Sequence, residues 1–351
     1  MKLQRKNRLR ATALGALAVS GALVLTACGS DDNTKETGSG DSTAAASSIK
    51  CDDAKGQILA AGSSAQKNAM DLWVKNFQQA CAGVEINYQP IGSGGGITKF
   101  TQGQVAFAGS DSALKPEEVT ASEEVCKGGK GINLPMVGGP VAIGFNVPGV
   151  DSLVLDGPTL AKIFDSKITK WNDAAISKLN PDAKLPATAI QAFHRSDESG
   201  TTQNLNKYLK AAAPADWKYD DSSKSWEAKG GQAASGSSGV ASSVKDTEGA
   251  IGYFELSYAT ASNLTTVKVD TGAGAPVEAT TENASKAIAA AKVKGTGNDL
   301  ALELDYATKA EGAYPIILVT HGTAASGRNS SHAMFRASAL PSPGPASSRE
   351  S

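Results

Sequence analysis

The sequence predicts an α/β fold. Apolar runs of strand length alternate with segments of helical period from residue 57 to about 320. Small-residue clusters follow several of these runs, where a strand turns into a helix. The length of 351 residues exceeds what one core fills and suits two compact lobes.

The elements follow in chain order. Residues 57–61, Gln-Ile-Leu-Ala-Ala, read as a buried strand. A helix is predicted over 66–81, because Ala69, Trp73, Phe77 and Ala80 share one face that should pack on the core. Strands are predicted at 84–88, 105–108, 141–147, 189–193 and 316–320, and helices at 159–164, 201–210 and 284–291. Segment 229–243 is rich in Gly and Ser and poor in apolar bulk, so it reads as a surface loop. The chain shows no internal repeat.

The first 28 residues read as a targeting segment. Lys2, Arg5, Lys6, Arg8 and Arg10 precede an uncharged stretch over 11–27, too short for a comfortable membrane span. It ends Leu25-Thr26-Ala27-Cys28, which resembles a bacterial lipobox and implies acylation (a palmitate-type anchor) of Cys28 and a lipoprotein on the outer face of the cell membrane. Residues 29–49 are small and polar and predict a flexible tether.

Formal net charge is −1. Between 50 and 320 stand 24 Lys and one Arg against 30 Asp and Glu, so the body is acidic at −5. That excludes a global field for nucleic acid or anionic lipid, and an anion would have to be held by local groups. Cys51, Cys81 and Cys126 follow Cys28. An oxidising compartment allows a disulfide among the three, and the odd count leaves one unpaired. No Cys/His spacing indicates a metal, and no cofactor is expected.

Residues 321–351 differ in composition. They hold three Arg and no Lys, eight Ser, two of the three His in the chain, and Pro341, Pro343 and Pro345. The break follows the strand-like run and reads as a disordered tail, either an aberrant ending of frameshift type or a natural one. An aberrant ending would leave 316–320 as an exposed edge.

Four segments carry chemistry. Ala61-Gly62-Ser63-Ser64-Ala65-Gln66 turns a strand into a helix, whose first N–H groups attract anions. Gly92-Ser93-Gly94-Gly95-Gly96-Ile97-Thr98 also follows a strand and lets backbone approach a ligand, without matching a Walker A or dinucleotide fingerprint. Phe107-Ala108-Gly109-Ser110-Asp111 places a carboxylate after a buried strand, where α/β proteins hold ligands. His194-Arg195-Ser196-Asp197-Glu198-Ser199-Gly200-Thr201 opens a helix and carries the one Arg of the body. A planar guanidinium grips tetrahedral oxyanions in a way Lys cannot, and Asp197 is close enough to orient it.

In this order the four segments resemble the phosphate-binding proteins of ABC-type phosphate importers. Val137-Gly138-Gly139-Pro140-Val141-Ala142-Ile143 looks like that family's first crossover, and Gly249-Ala250-Ile251-Gly252-Tyr253 like its return. Leu155-Asp156-Gly157-Pro158-Thr159-Leu160 and Ile168-Thr169-Lys170-Trp171-Asn172-Asp173 match its second lobe. The resemblance covers about 51–320. It implies a two-lobed periplasmic-binding-protein fold of type II with two crossover hinge segments. Lobe 1 would comprise 50–140 and 255–320, and lobe 2 would comprise 141–254. It implies phosphate binding by Ser64, the Ala65 amide, Ser93, Asp111, Arg195, Ser199, the Gly200 amide and Thr201, with Asp197 supporting Arg195. The expected partners are inorganic phosphate and the membrane permease subunits of the importer, met by a monomer. Many members have Thr-Phe where this chain has Ser64-Ala65, which preserves a hydroxyl and an amide. The family also continues past 320 with residues that pack on lobe 1. One of them is expected to be a Cys.

Asp111 would discriminate. A buried carboxylate beside an anion requires a proton donor; phosphate carries an O–H near neutral pH and sulfate none. The mismatch is worth on the order of 10³-fold in affinity. Two alternatives remain: a receptor for another oxyanion, and a phosphomonoesterase, since Asp111-Ser112-Ala113 resembles an alkaline phosphatase nucleophile segment. Against catalysis, the body has one His, His194, too few for the metal clusters of those enzymes.

Overall fold

The computed structural model describes Cys51 and residues 54–326. Cys28, the tether and most of the expected tail lie outside the described residues. The first half of the chain forms β1 (Gly56–Gly62), α1 (Lys67–Ala80), β2 (Val84–Gln89), α2 (Ser93–Thr101), β3 (Phe107–Ser110), α3 (Pro116–Val125) and β4 (Gly131–Asn146). Then come β5 (Val154–Asp156), α4 (Gly157–Phe164), α5 (Ala174–Leu179), β6 (Gln191–Arg195), α6 (Gly200–Ala212), β7 (Gln232–Ala234), α7 (Gly236–Asp246) and β8 (Ala250–Glu255). The chain closes with α8 (Leu256–Ser262), β9 (Thr265–Thr266), β10 (Lys268–Asp270), α9 (Thr281–Ile288), β11 (Lys292–Val293), β12 (Leu302–Glu303) and β13 (Ile317–Ala325).

One nine-stranded sheet runs in the order β2-β1-β3-β13-β4-β8-β6-β7, with β9 added on β4. Its first half pairs β1 in parallel with β2 and β3. Its second half pairs β6 in parallel with β7 and β8. The long strand β4 joins the halves: residues 131–140 pair antiparallel with β13, and Val141–Asn146 with β8. Both crossover segments read from the sequence therefore lie on neighbouring paired strands, β4 and β8.

The expected break at Thr320 is corrected by β13. The strand continues through His321 to Ala325, between β3 and β4 in the interior of the sheet. Residues 321–325 are thus sheet rather than tail, and 316–320 is no exposed edge. The register shifts between Thr320 and His321, opposite Pro135 and Met136. Pro135 has no N–H to donate, and a bulge is where a strand tolerates that.

The start of the expected return to lobe 1 at 255 also differs from the pairing. α8 packs on α7 and β4, β9 pairs with β4 at Gly144 and Phe145, and β10 pairs with β5. Residues 256–270 thus stay with the second half, and α9 is the first element after them to pack on β13. The main core lies there too: Leu160, Phe164, Trp171, Tyr253 and Val269 are all buried. The helix predicted at 66–81 forms as α1, but its apolar face is only half-buried, with Met70 its one buried residue. Cys51 and Cys81 form a disulfide, and Cys126 is free.

His321 is 2% exposed and neither ring nitrogen has a hydrogen-bond partner. Burial pushes its pKa down from 6.5 to about 4. The folded state therefore binds this proton less readily than the unfolded chain. Its contribution is intact above about pH 6.5 and is lost as pH falls towards about 4. His321→Leu is expected to remove about 3 kcal/mol of that loss between the two pH values, read as the difference between variant and wild-type urea unfolding curves.

Candidate anion-binding site

The site lies at the carboxyl ends of the parallel strands in both halves of the sheet, where α/β folds place ligands. β1 ends in the 62–66 turn, β2 leads to α2, β3 leads to Asp111, β6 ends at Arg195 before α6, and β7 leads to α7. Gly96 permits the packing: a Cβ there would lie 2.7 Å from the Ala61 carbonyl oxygen and collide with Gly62 Cα. The Gly-rich segment thus forms the first turns of α2.

Arg195 is 2% exposed. Its Nε donates to Asp197 Oδ1 at 2.8 Å, and Nη2 pairs with Asp197 Oδ2. Asp197 also accepts the Gly236 N–H at 3.0 Å. These contacts hold its carboxyl below the usual range against the effect of burial. Arg195 Nη1 reaches Ser237 Oγ at 3.4 Å, and its backbone N–H donates to the Tyr253 hydroxyl at 3.1 Å. Arg195 and Asp197 are therefore brought together as the sequence predicts.

Asp111 is 3% exposed. Its Oδ2 accepts from Thr201 Oγ1 at 3.1 Å, and its N–H donates to Ser93 Oγ at 3.2 Å. Its Oδ1 is buried and has no hydrogen-bond partner. Burial pushes its pKa up, opposed by the hydroxyls of Ser63, Thr201 and Ser93 and by the charge of Arg195. The ionised carboxylate thus costs folding free energy, and that cost grows as pH rises above the ordinary carboxylate range.

Gly200 opens α6 against the first half of the sheet. A Cβ there would lie 2.6 Å from Ser93 Oγ and 2.7 Å from Asp111 Cβ, so only glycine allows this approach. Ser199 caps α6 by accepting the Thr202 N–H at 3.1 Å. Ser64 is buried, and the Ala65 N–H donates to Ser63 Oγ at 3.0 Å. Asp111, Ser93, Gly200 and Thr201 lie together, Arg195, Asp197 and Ser64 meet around Ser237, and Ala65 and Ser199 are buried next to them in the chain.

Sequence reasoning missed four contributors. Ser237 is fully buried, and its N–H donates to Ser64 Oγ at 2.9 Å. It falls in the segment read as a surface loop, which instead forms β7 and α7. The available signal was Ser235 ahead of Gly236-Ser237, a helix start after a short strand. Asn204 donates to the carbonyl oxygens of Asp111 and Gly200, at 2.9 and 2.7 Å. Tyr258 donates to the Ser64 carbonyl oxygen at 2.6 Å. Lys224 is 8% exposed and lies 3.3 Å from Glu118 of α3, while its carbonyl accepts the Ser199 N–H at 2.9 Å. None of these belongs to a motif. His194 stacks on Trp226 at 5.0 Å between ring centroids.

Comparison with known proteins gives the same picture. The family model for the PBP superfamily domain matches residues 41–335. The chain is 45% identical over 324 residues to phosphate-binding protein PstS 3 of Mycobacterium tuberculosis, covering 92% of this chain and 85% of that one. It is 35% identical over 306 residues to phosphate-binding protein PstS of Xylella fastidiosa, covering 86% and 80%. Among solved structures, the phosphate-binding protein of Stenotrophomonas maltophilia superposes with a TM-score of 0.56 at 23% identity, covering 76% and 78%; at that identity the likeness shows the fold.

Removing the carboxylate of Asp197 would leave a buried cation without its main partner. Asp197→Ala is expected to lower unfolding free energy by about 3 kcal/mol, measured by denaturant titration at neutral pH, with Asp197→Asn losing less.

Proposed function

Because this chain belongs to the phosphate-binding proteins of the PBP superfamily, we propose that it captures inorganic phosphate outside the cytoplasm and hands it to an ABC-type importer. One observation carries the choice of ligand: a buried carboxylate oxygen, Asp111 Oδ1, without a hydrogen-bond partner in a region whose charge is balanced by the buried Arg195.

The chemistry follows from that pairing. Ser64, Ser93 and Ser199 offer hydroxyl donors, the Thr201 hydroxyl joins them when the guest takes its place as donor to Asp111, and the first turn of α6 offers the Gly200 amide beside its positive end. The Ala65 amide, which here donates to Ser63 Oγ at 3.0 Å, completes the set from the first half of the sheet when the anion replaces that acceptor. Arg195 neutralises an oxyanion with a planar donor fork held by Asp197. Asp111 is acceptor-only when ionised. A phosphate O–H donating to it satisfies the orphan oxygen and stabilises its charged form, offsetting the desolvation that raises its pKa. Sulfate and molybdate bring no proton at neutral pH, so their oxygens would face those of Asp111. The geometry therefore favours phosphate over the other oxyanions.

Phosphate ester hydrolysis needs an activated nucleophile and a base or metal. His194 is stacked on Trp226 and its Nδ1 lies 3.0 Å from the Arg195 carbonyl oxygen, so it does not serve as that base. The protein is accordingly read as a receptor and not an enzyme. No helix among the described residues is long and apolar enough to cross a membrane. Retention at the outer face is assigned to acylation of Cys28, with 29–49 as tether and the permease subunits as partner of the monomeric receptor.

Calorimetric titration with phosphate, and with sulfate as competitor, tests the reading. Wild type is expected to bind phosphate and to reject sulfate by on the order of 10³-fold. Asp111→Asn is expected to bring sulfate within about 10-fold of phosphate, because an amide donates where the carboxylate only accepts. Unchanged selectivity in that variant would refute the role of Asp111.

A further inference from the structure

Ser237 stands at the first turn of α7 and touches both halves of the site. Its N–H donates to Ser64 Oγ at 2.9 Å, and the two hydroxyl oxygens are 3.0 Å apart. Arg195 Nη1 donates to Ser237 Oγ over 3.4 Å. Beside it, the Gly236 N–H holds Asp197 Oδ1 at 3.0 Å. Ser237 is fully buried.

We propose that Ser237 is a positioning residue for phosphate, which aims the Ser64 proton at the anion and couples that hydroxyl to the Arg195 cation. The proposal rests on the phosphate reading above.

Counting protons gives the mechanism. A serine hydroxyl has one proton and two acceptor positions. Ser64 Oγ already accepts the Ser237 N–H. In the hydroxyl pair only one partner donates. If Ser64 donates to Ser237, its proton is spent and it has nothing to offer an anion. If Ser237 donates to Ser64, Ser64 accepts twice and keeps its proton for the guest. Ser237 then still accepts from Arg195. The oxygens of an oxyanion that face Ser64 are acceptors, so phosphate selects the second arrangement. Donors then point one way, from the guanidinium through Ser237 and Ser64 to the anion, and each polarises the next. Ser237 acts through Ser64, so its effect disappears when Ser64 loses its hydroxyl.

A double-mutant cycle read by phosphate calorimetry tests this, with phosphate-free thermal unfolding of each variant as the check on folding. Ser237→Ala is expected to raise the phosphate Kd about 10-fold, and Ser64→Ala by at least as much. Ser64→Ala combined with Ser237→Ala is expected to bind within twofold of Ser64→Ala, a coupling that a purely structural role would not produce. Ser237→Thr and Ser237→Val are equal in shape and differ in the hydroxyl, and they repeat the comparison should Ser237→Ala unfold. The Thr variant is expected to bind about 10-fold more tightly than the Val variant. Equal affinities for that pair, Ser237→Ala within twofold of wild type, or additive losses in the double variant would overturn the proposal. Wild type failing to bind phosphate would instead overturn the reading beneath it.

Discussion

A guanidinium with 2% exposure, set between two halves of one sheet, constrains the structure around it. Removing a charge from water costs several kcal/mol unless partners replace the water. Arg195 is supplied on every side: Asp197 through Nε and Nη2, Ser237 through Nη1, and Tyr253 at the backbone. Each partner is held in turn. Asp197 takes the Gly236 amide of α7, and the Tyr253 hydroxyl lies 2.6 Å from Thr202 Oγ1 in α6. Two helix starts and one strand are thereby fixed relative to a single cation. The composition agrees, since 24 Lys and one Arg stand between 50 and 320. A point charge on a flexible stem cannot make the two parallel contacts to Asp197.

The rest of the fold delivers the first half of the site to that cation. β13 pairs along its whole length with residues 131–140 of β4, and β4 alone continues into the second half, where it pairs with β8. Contacts that cross between halves sit around the site. Tyr258 holds the Ser64 carbonyl, Lys224 pairs with Glu118, and Asn204 takes the Asp111 carbonyl. Lys224 links this closure to chemistry directly, because the same residue's carbonyl anchors the Ser199 amide at the head of α6. Opening the halves would expose Arg195 and Asp111 to water and break these bonds. The contacts between the halves therefore offset the desolvation of charge, and on the proposed phosphate reading an anion that donates a proton to Asp111 would favour the arrangement that makes them.

Much of this was legible in the sequence, for physical reasons that differ by element. β13 announces itself because a strand buried on both faces opens as a continuous apolar run, and β2 because an edge strand alternates apolar and polar residues, Val-Glu-Ile-Asn-Tyr. Arg195 and Asp197 are readable because guanidinium chemistry is specific and the residue is scarce. α2 was hidden because Gly94, Gly95 and Gly96 have poor helix propensity, and tertiary closeness to β1 overrides that. α7 was hidden for the same kind of reason: its Ser and Gly content reads as loop, yet those small side chains let it pack against β6 and β8. Ser237 could not be seen because a hydroxyl 173 positions from Ser64 is adjacent only after the sheet assembles. The composition change at 321 is real, but a strand already paired on both sides can extend through any residues that tolerate burial, and His321 and Thr323 do so as unpaired polar groups.

Asp111 shows why the site and the core obey opposite rules. In a protein core most buried groups are apolar or satisfied. At Asp111 the chain buries a carboxylate, gives Oδ2 the Thr201 hydroxyl with those of Ser63 and Ser93 close by, and leaves Oδ1 without a hydrogen-bond partner. Both the raised pKa and the orphan oxygen are unfavourable for the empty fold. An arrangement that costs stability persists where the missing partner arrives with the ligand. On the proposed phosphate reading the same deficiency would make the group selective: a carboxylate already satisfied by protein donors tolerates any anion of the right size, whereas one that lacks a donor requires the guest to bring it. On the proposed phosphate reading, affinity and discrimination come from different residues, the first from a guanidinium held by Asp197 and Ser237 with N–H groups left to donate and the second from an incompletely partnered acid, one supplied by each half of the sheet.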